Sequence, residues 1–156
     1  MSFKDKLKHF IFELTTAPKE QRSRGYDQLD PKIAPLVTAL NQLPTVNTIA
    51  SCQGHAFGRI EPPYVYFNAD HRLVASFMTQ LRQCYLDGHL HHSWEITAMF
   101  NHQVTLCWTL SSPYYDQRFA KNSTYDLGWH HDKVDQDIKV LTDLIPTKSD
   151  LCSLAE

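Results

Sequence analysis

Two stretches late in the chain carry apolar side chains at every second position: Trp94, Ile96, Ala98 and Phe100, then Val104, Leu106, Trp108 and Leu110. A period of two suits a strand with one face buried and suits no helix. Asn101-His102 between them are residue types that tolerate positive φ, so the two stretches are expected to pair as a tight hairpin. Such a hairpin has one apolar face that must be covered, and the remaining sequence supplies helices to cover it.

Ser2 can cap a first helix in which Phe3, Leu7, Phe10, Ile11 and Leu14 recur at spacings of three and four, an apolar stripe opposite the lysines, with Pro18 at its end. Lys19 to Leu29 is polar and reads as a loop. Asp30-Pro31 reads as an N-cap followed by proline at the first helical position, and Ile33, Leu36, Val37, Leu40 and Leu43 give that second helix its core face before Pro44. Thr45 to Ser51 is rich in β-branched residues and Tyr64-Val65-Tyr66-Phe67 is a short apolar run, so both are expected to be strands. Asp70 caps a third helix carrying Leu73, Val74, Phe77, Met78, Leu81 and Tyr85 up to Gly88. After an irregular stretch from Ser111 to Gly128, a last amphipathic helix runs through Val134, Ile138, Leu141 and Leu144 to Pro146. The expectation is one α+β domain over residues 1–146, in the order ααββαββα. Its sheet is mixed or antiparallel with about four strands, and residues 147–156 form a frayed tail.

At 156 residues the chain can bury a core without a staple, and its ordinary composition argues against disorder. The formal net charge of -2 gives no attraction to polyanions, so an RNA partner has no support from charge. No apolar run suits a signal peptide or a membrane span, which points to a cytoplasmic protein with no membrane partner. Cys52, Cys84, Cys107 and Cys152 form no C-x-x-C pair, so reduced thiols are expected.

The candidate site is Ser51-Cys52-Gln53-Gly54-His55, at the carboxyl end of the first strand. It brings a hydroxyl, a thiol, an amide and an imidazole together at a glycine that allows a sharp turn and close approach of a ligand. Cys52 and His55 are the candidate catalytic pair, nucleophile and base, because a neighbouring imidazolium or turn of N–H groups favours thiolate. The competing reading makes Cys52 a small core residue and His55 a turn residue bonded to a carbonyl. Ser51, Gln53, Gly54 and Arg59 are the candidate ligand-binding residues, with Arg59 and the glycine-rich backbone facing a phosphate or carboxylate; Arg59 paired with Glu61 on the surface is the competing reading.

Cys52-x-x-His55 also has metal-ligand spacing, which His89, His91, His92, His130 or His131 could complete for zinc, but clustered histidines outside regular structure are more often plain linker residues, so no metal ligands are assigned. Tyr114, Tyr115 and Trp129, near Arg118 and Lys121, are candidates to stack on a base.

The run from Ile33-Ala34-Pro35-Leu36-Val37 through Leu40-Asn41 to Thr48-Ile49-Ala50-Ser51-Cys52-Gln53-Gly54-His55 resembles the opening of the wybutosine-synthesis tRNA methyltransferase family, within residues 31–60. There an apolar helix leads into a strand ending in Ser-Cys-Ser-Gly-Arg-Ile; Gln53 and His55 stand here in place of the second Ser and the Arg. The resemblance implies an α+β fold and an RNA or nucleotide site around Ser51, Cys52 and Gly54, with S-adenosylmethionine as cofactor. The function expected is a small enzyme or ligand-binding protein acting on a nucleotide-like or other anionic molecule, with S-adenosylmethionine or zinc as candidate cofactors. The alternative is a non-catalytic interaction or inhibitor-type protein in which the turn is structural.

Overall fold

The alternating stretches do pair. In the computed structural model, which describes residues 1–16, 29–57, 61–115 and 124–146, β3 (Glu95–Phe100) and β4 (Leu106–Ser111) form an antiparallel hairpin with Ile96 opposite Leu110 and Ala98 opposite Trp108. Its turn is wider than expected, and the positive φ falls on Val104, at 58°, rather than on Asn101 or His102. The cause is local. Asn101 Oδ1 accepts the N–H groups of Gln103 and Thr105, each at 2.9 Å, and winds the loop around its own side chain.

β1 (Asn47–Cys52) and β2 (Tyr64–Asn68) also pair antiparallel, and β2 lies against β4, giving a four-stranded sheet in the order β1-β2-β4-β3. With its helices this is an α+β fold. Val65, Phe67 and Leu110 of the sheet enter one apolar cluster with Leu36 and Leu40 of α2 (Ala34–Asn41), Phe77 and Leu81 of α3 (His71–Leu86), and Ile138 and Leu141 of α4 (His131–Asp143). Each of these large side chains stabilises the fold by about 1.5–3 kcal/mol on burial. Asp70 caps α3 as expected, its side chain accepting from Arg72 N–H at 2.8 Å, and Gly88 follows with a φ of 77°. Between β4 and α4 lie a 3-10 turn at Pro113–Tyr115 and a π-helical turn at Thr124–Trp129.

Two helices depart from their sequence reading. α1 (Phe3–Thr15) is capped by Ser2 through a capping box with Asp5, but its apolar stripe does not face the core. Phe3, Leu7, Ile11 and Leu14 are exposed, whereas Glu13 is wholly buried and Lys6, His9 and Phe10 are partly covered. The helix packs through that second face on the π-helical turn and α4, with Phe10 edge-on to Trp129 and Phe57 and His9 edge-on to His131. α2 starts at Ala34 with Ile33 at its N-cap, and Asp30 gives it no side-chain cap. Its carboxylate is turned elsewhere, into the site.

Candidate functional site

The SCQGH turn is held by its own backbone. Gly54 takes a φ of 93°, and a Cβ there would stand 3.1 Å from Pro63 Cδ and 3.3 Å from Leu127 Cδ2, so the position needs glycine for conformation and for space. His55 N–H donates to Glu61 O at 2.8 Å, Gln53 N–H donates to Asp30 Oδ2 at 3.2 Å, and Gly54 N–H points at Cys52 Sγ at 3.4 Å. The loop's N–H groups are expected to face an anion; those of Gln53, Gly54 and His55 are already engaged inside the protein. Arg59, the expected anion partner, lies outside the described residues, as do Arg118, Lys121 and residues 147–156.

Around the turn the chain gathers ionisable side chains from three further elements. His55 is buried, with Nε2 3.3 Å from Asp30 Oδ2 and Nδ1 3.5 Å from Glu13 Oε2. Gln53, also buried, accepts the Lys32 N–H on its Oε1 at 3.1 Å and so ties the turn to the start of α2. From α4, His131 donates through Nε2 to the Gly54 carbonyl at 3.1 Å, while its Nδ1 lies 2.8 Å from Asp135 Oδ1. Lys32 closes this edge with an ion pair to Asp135 at 2.8 Å. Ser51 remains a half-buried strand residue opposite Val65.

The electrostatics follow from the burial. Burial by itself opposes an imidazolium at His55, but hydrogen bonding toward Asp30 and Cys52, with the Glu13 carboxylate 3.5 Å behind the ring, outweighs it and pushes the imidazole up to about 11. Burial raises Glu13, and the neighbouring His55 more than reverses this, holding its carboxyl below the usual value. The Cys52 thiol is pushed up by burial despite His55 beside it. Cys52 by itself is therefore held as a thiol, which favours His55 over Cys52 as the group that carries charge here.

The sequence brought Cys52, Gln53, Gly54 and His55 together correctly as neighbours, since they share one turn. Glu13 and Asp30 were missed: the first reads as a polar position of an amphipathic helix, the second as a helix cap. Of the clustered histidines, His131 reaches the turn, but through a carbonyl. His92 is buried in another group, where the Asp137 carboxylate accepts its N–H and Nδ1, Trp94 Nε1 and the backbone N–H of the exposed His91 at 2.7–3.1 Å. Tyr115, a candidate for base stacking, is buried with its hydroxyl 3.1 Å from His92 Nδ1, and Trp129 is edge-on to Phe3 and Phe10. Tyr114 is exposed but lies against the His92 and Tyr115 rings.

No family model, no curated protein and no solved structure matches this chain.

Proposed function

We propose that this chain is a small enzyme that works at the SCQGH turn on a small ligand, with Cys52 and His55 as its chemical groups and with Asp30 and Glu13 setting their charge and orientation. One observation carries this reading. Glu13 is wholly buried, neither of its oxygens has a hydrogen-bond partner, and Oε2 stands 3.5 Å from an imidazole nitrogen that also lacks one. A carboxylate left this way costs folding free energy, and such arrangements gather where a site needs them. Two interior carboxylates beside the turn disfavour a polyanion, so RNA and nucleotide-like ligands fit less well than a neutral or cationic one.

The test is the stability of Glu13→Gln in chelator-treated protein. A residue kept for function leaves stability equal or raises it by up to roughly 1–2 kcal/mol when its buried charge is removed. A loss of more than about 2 kcal/mol would instead make Glu13 a structural partner of His55 and remove the argument. A second reading, an interaction protein, is favoured by the exposed face of α1, where Phe3, Leu7, Ile11 and Leu14 form an apolar stripe on a helix that docks through its other face, Lys6, His9, Phe10 and Glu13.

A further inference from the structure

The donors of Asp30, Cys52 and His55 come from two separate segments of the chain, all three residues are buried, and one ligand atom from each lies within 4.8 Å of the other two. We propose that this triad binds a zinc ion, with the Asp30 carboxylate, Cys52 Sγ and His55 Nε2 as its protein ligands and Glu13 as the residue that positions His55. In a tetrahedral zinc site, bonds of about 2.0–2.3 Å set donors roughly 3.5 Å apart. His55 Nε2 and Asp30 Oδ2 already stand at 3.3 Å, so small side-chain movements complete the set.

A second observation points the same way. With Nε2 on a metal, His55 carries its proton on Nδ1, and that nitrogen faces Glu13 Oε2 at 3.5 Å. A carboxylate behind a ligating imidazole fixes the tautomer and orientation of the ring. This explains why Glu13 sits fully buried with no other hydrogen bond, and why His55 Nδ1 has none either. The donor set of thiolate, imidazole and carboxylate selects zinc over magnesium or calcium, which take oxygen ligands. Binding releases two protons to solvent, that of Cys52 as the thiolate forms and that of His55 Nε2 as this nitrogen turns from Asp30 to the metal, while Nδ1 keeps its own. Among the described residues the cluster supplies three ligands, which leaves a fourth position for water or a substrate atom, the pattern of a catalytic rather than a structural zinc.

The inference rests on the turn being the working site. The full chain, stripped by a chelator and dialysed, is titrated with Co²⁺ and then Zn²⁺. We expect one equivalent of cobalt, with visible bands of a four-coordinate ion and a thiolate-to-cobalt charge-transfer band in the near ultraviolet, displaced by zinc. Cys52→Ser removes the charge-transfer band, whereas Cys84→Ser and Cys107→Ser keep it. Glu13→Gln keeps the band and weakens zinc binding on the order of 10- to 100-fold, a change that a packing role alone does not produce. Folded wild-type protein that takes up no cobalt, or a band that survives Cys52→Ser, overturns the zinc site; the wild-type spectrum needs no variant to fold. Failure to bind metal together with a stabilising Glu13→Gln removes the zinc and leaves the functional reading of the turn. Zinc binding together with a destabilising Glu13→Gln keeps the metal and removes that reading.

Discussion

Among the described residues two carboxylates are wholly buried, Glu13 and Asp137, and their surroundings are opposite. Asp137 accepts two backbone N–H groups, an imidazole and an indole N–H, and so fastens the 91–94 segment, ahead of β3, to α4. Asp137→Ala strips the buried His92 N–H and Trp94 Nε1 of their acceptor, and urea denaturation should show a loss of about 3–5 kcal/mol. Glu13→Gln, by contrast, removes a buried charge that accepts no hydrogen bond and faces one imidazole nitrogen, His55 Nδ1, at 3.5 Å. The sequence offers no way to tell the two acids apart. Each lies at a polar position of an amphipathic helix, and which becomes a satisfied core residue and which a site residue depends on segments 40 or more positions away. Cys52, Gln53, Gly54 and His55 were legible because a strand end, a glycine and reactive side chains are neighbours along the chain. Asp30 was legible only as a cap, because Asp-Pro has a strong local meaning, and its partner His55 is 25 residues on.

Elements were readable from local pattern even where packing does not follow it, for Phe100, Val104 and Leu106 of the hairpin's alternating face are exposed. The β3–β4 alternation, the Asp70 cap and the apolar face of α4 all gave elements of the right kind, because a period of two or 3.6 and a cap are local signals. α1 shows the limit of that logic. Its strongest apolar stripe, opposite the lysines, is not its docking face, which uses Lys6, His9, Phe10 and Glu13, with Lys6 paired to Asp132 at 3.4 Å. Periodicity reports that a helix has an apolar face; it does not report whether this domain or something else covers it. Ile11→Lys should therefore change stability by less than about 0.5 kcal/mol, while Leu40→Ala in α2 should cost about 2–5 kcal/mol. Equal losses at the two positions in thermal melts would mean that Ile11 is packed against the core after all. Ile11→Lys also tests the interaction reading, since it should disrupt any association made through α1 without unfolding the chain.

At the scale of the whole molecule, the docking of α1 makes stability depend on pH. His9 is packed on His131, its Nε2 has no hydrogen-bond partner, and burial, with Lys32 and His131 adding to it against the opposing Glu13 and Asp135, lowers its imidazole to about 4. In the unfolded chain the same group titrates near 6.5. Between those values the unfolded state binds a proton that the folded state refuses, so stability rises with pH across this window and is lost as pH falls through it. The contribution is fully present above about 6.5 and gone below about 4. Asp135, held below its usual value, loses its contribution only as acid protonates it lower still, so it extends the acid limb rather than creates its upper part. Above about 6.5 His55, pushed up to about 11, keeps a proton that the unfolded chain releases and so works against His9; urea midpoints in chelator-treated wild type should therefore fall from pH 6 to pH 4, and His9→Gln should flatten the upper part of that fall. If the two proteins lose stability in parallel over that range, the imidazole of His9 is charged or solvated in the folded state, and α1 is not held against α4 through that ring.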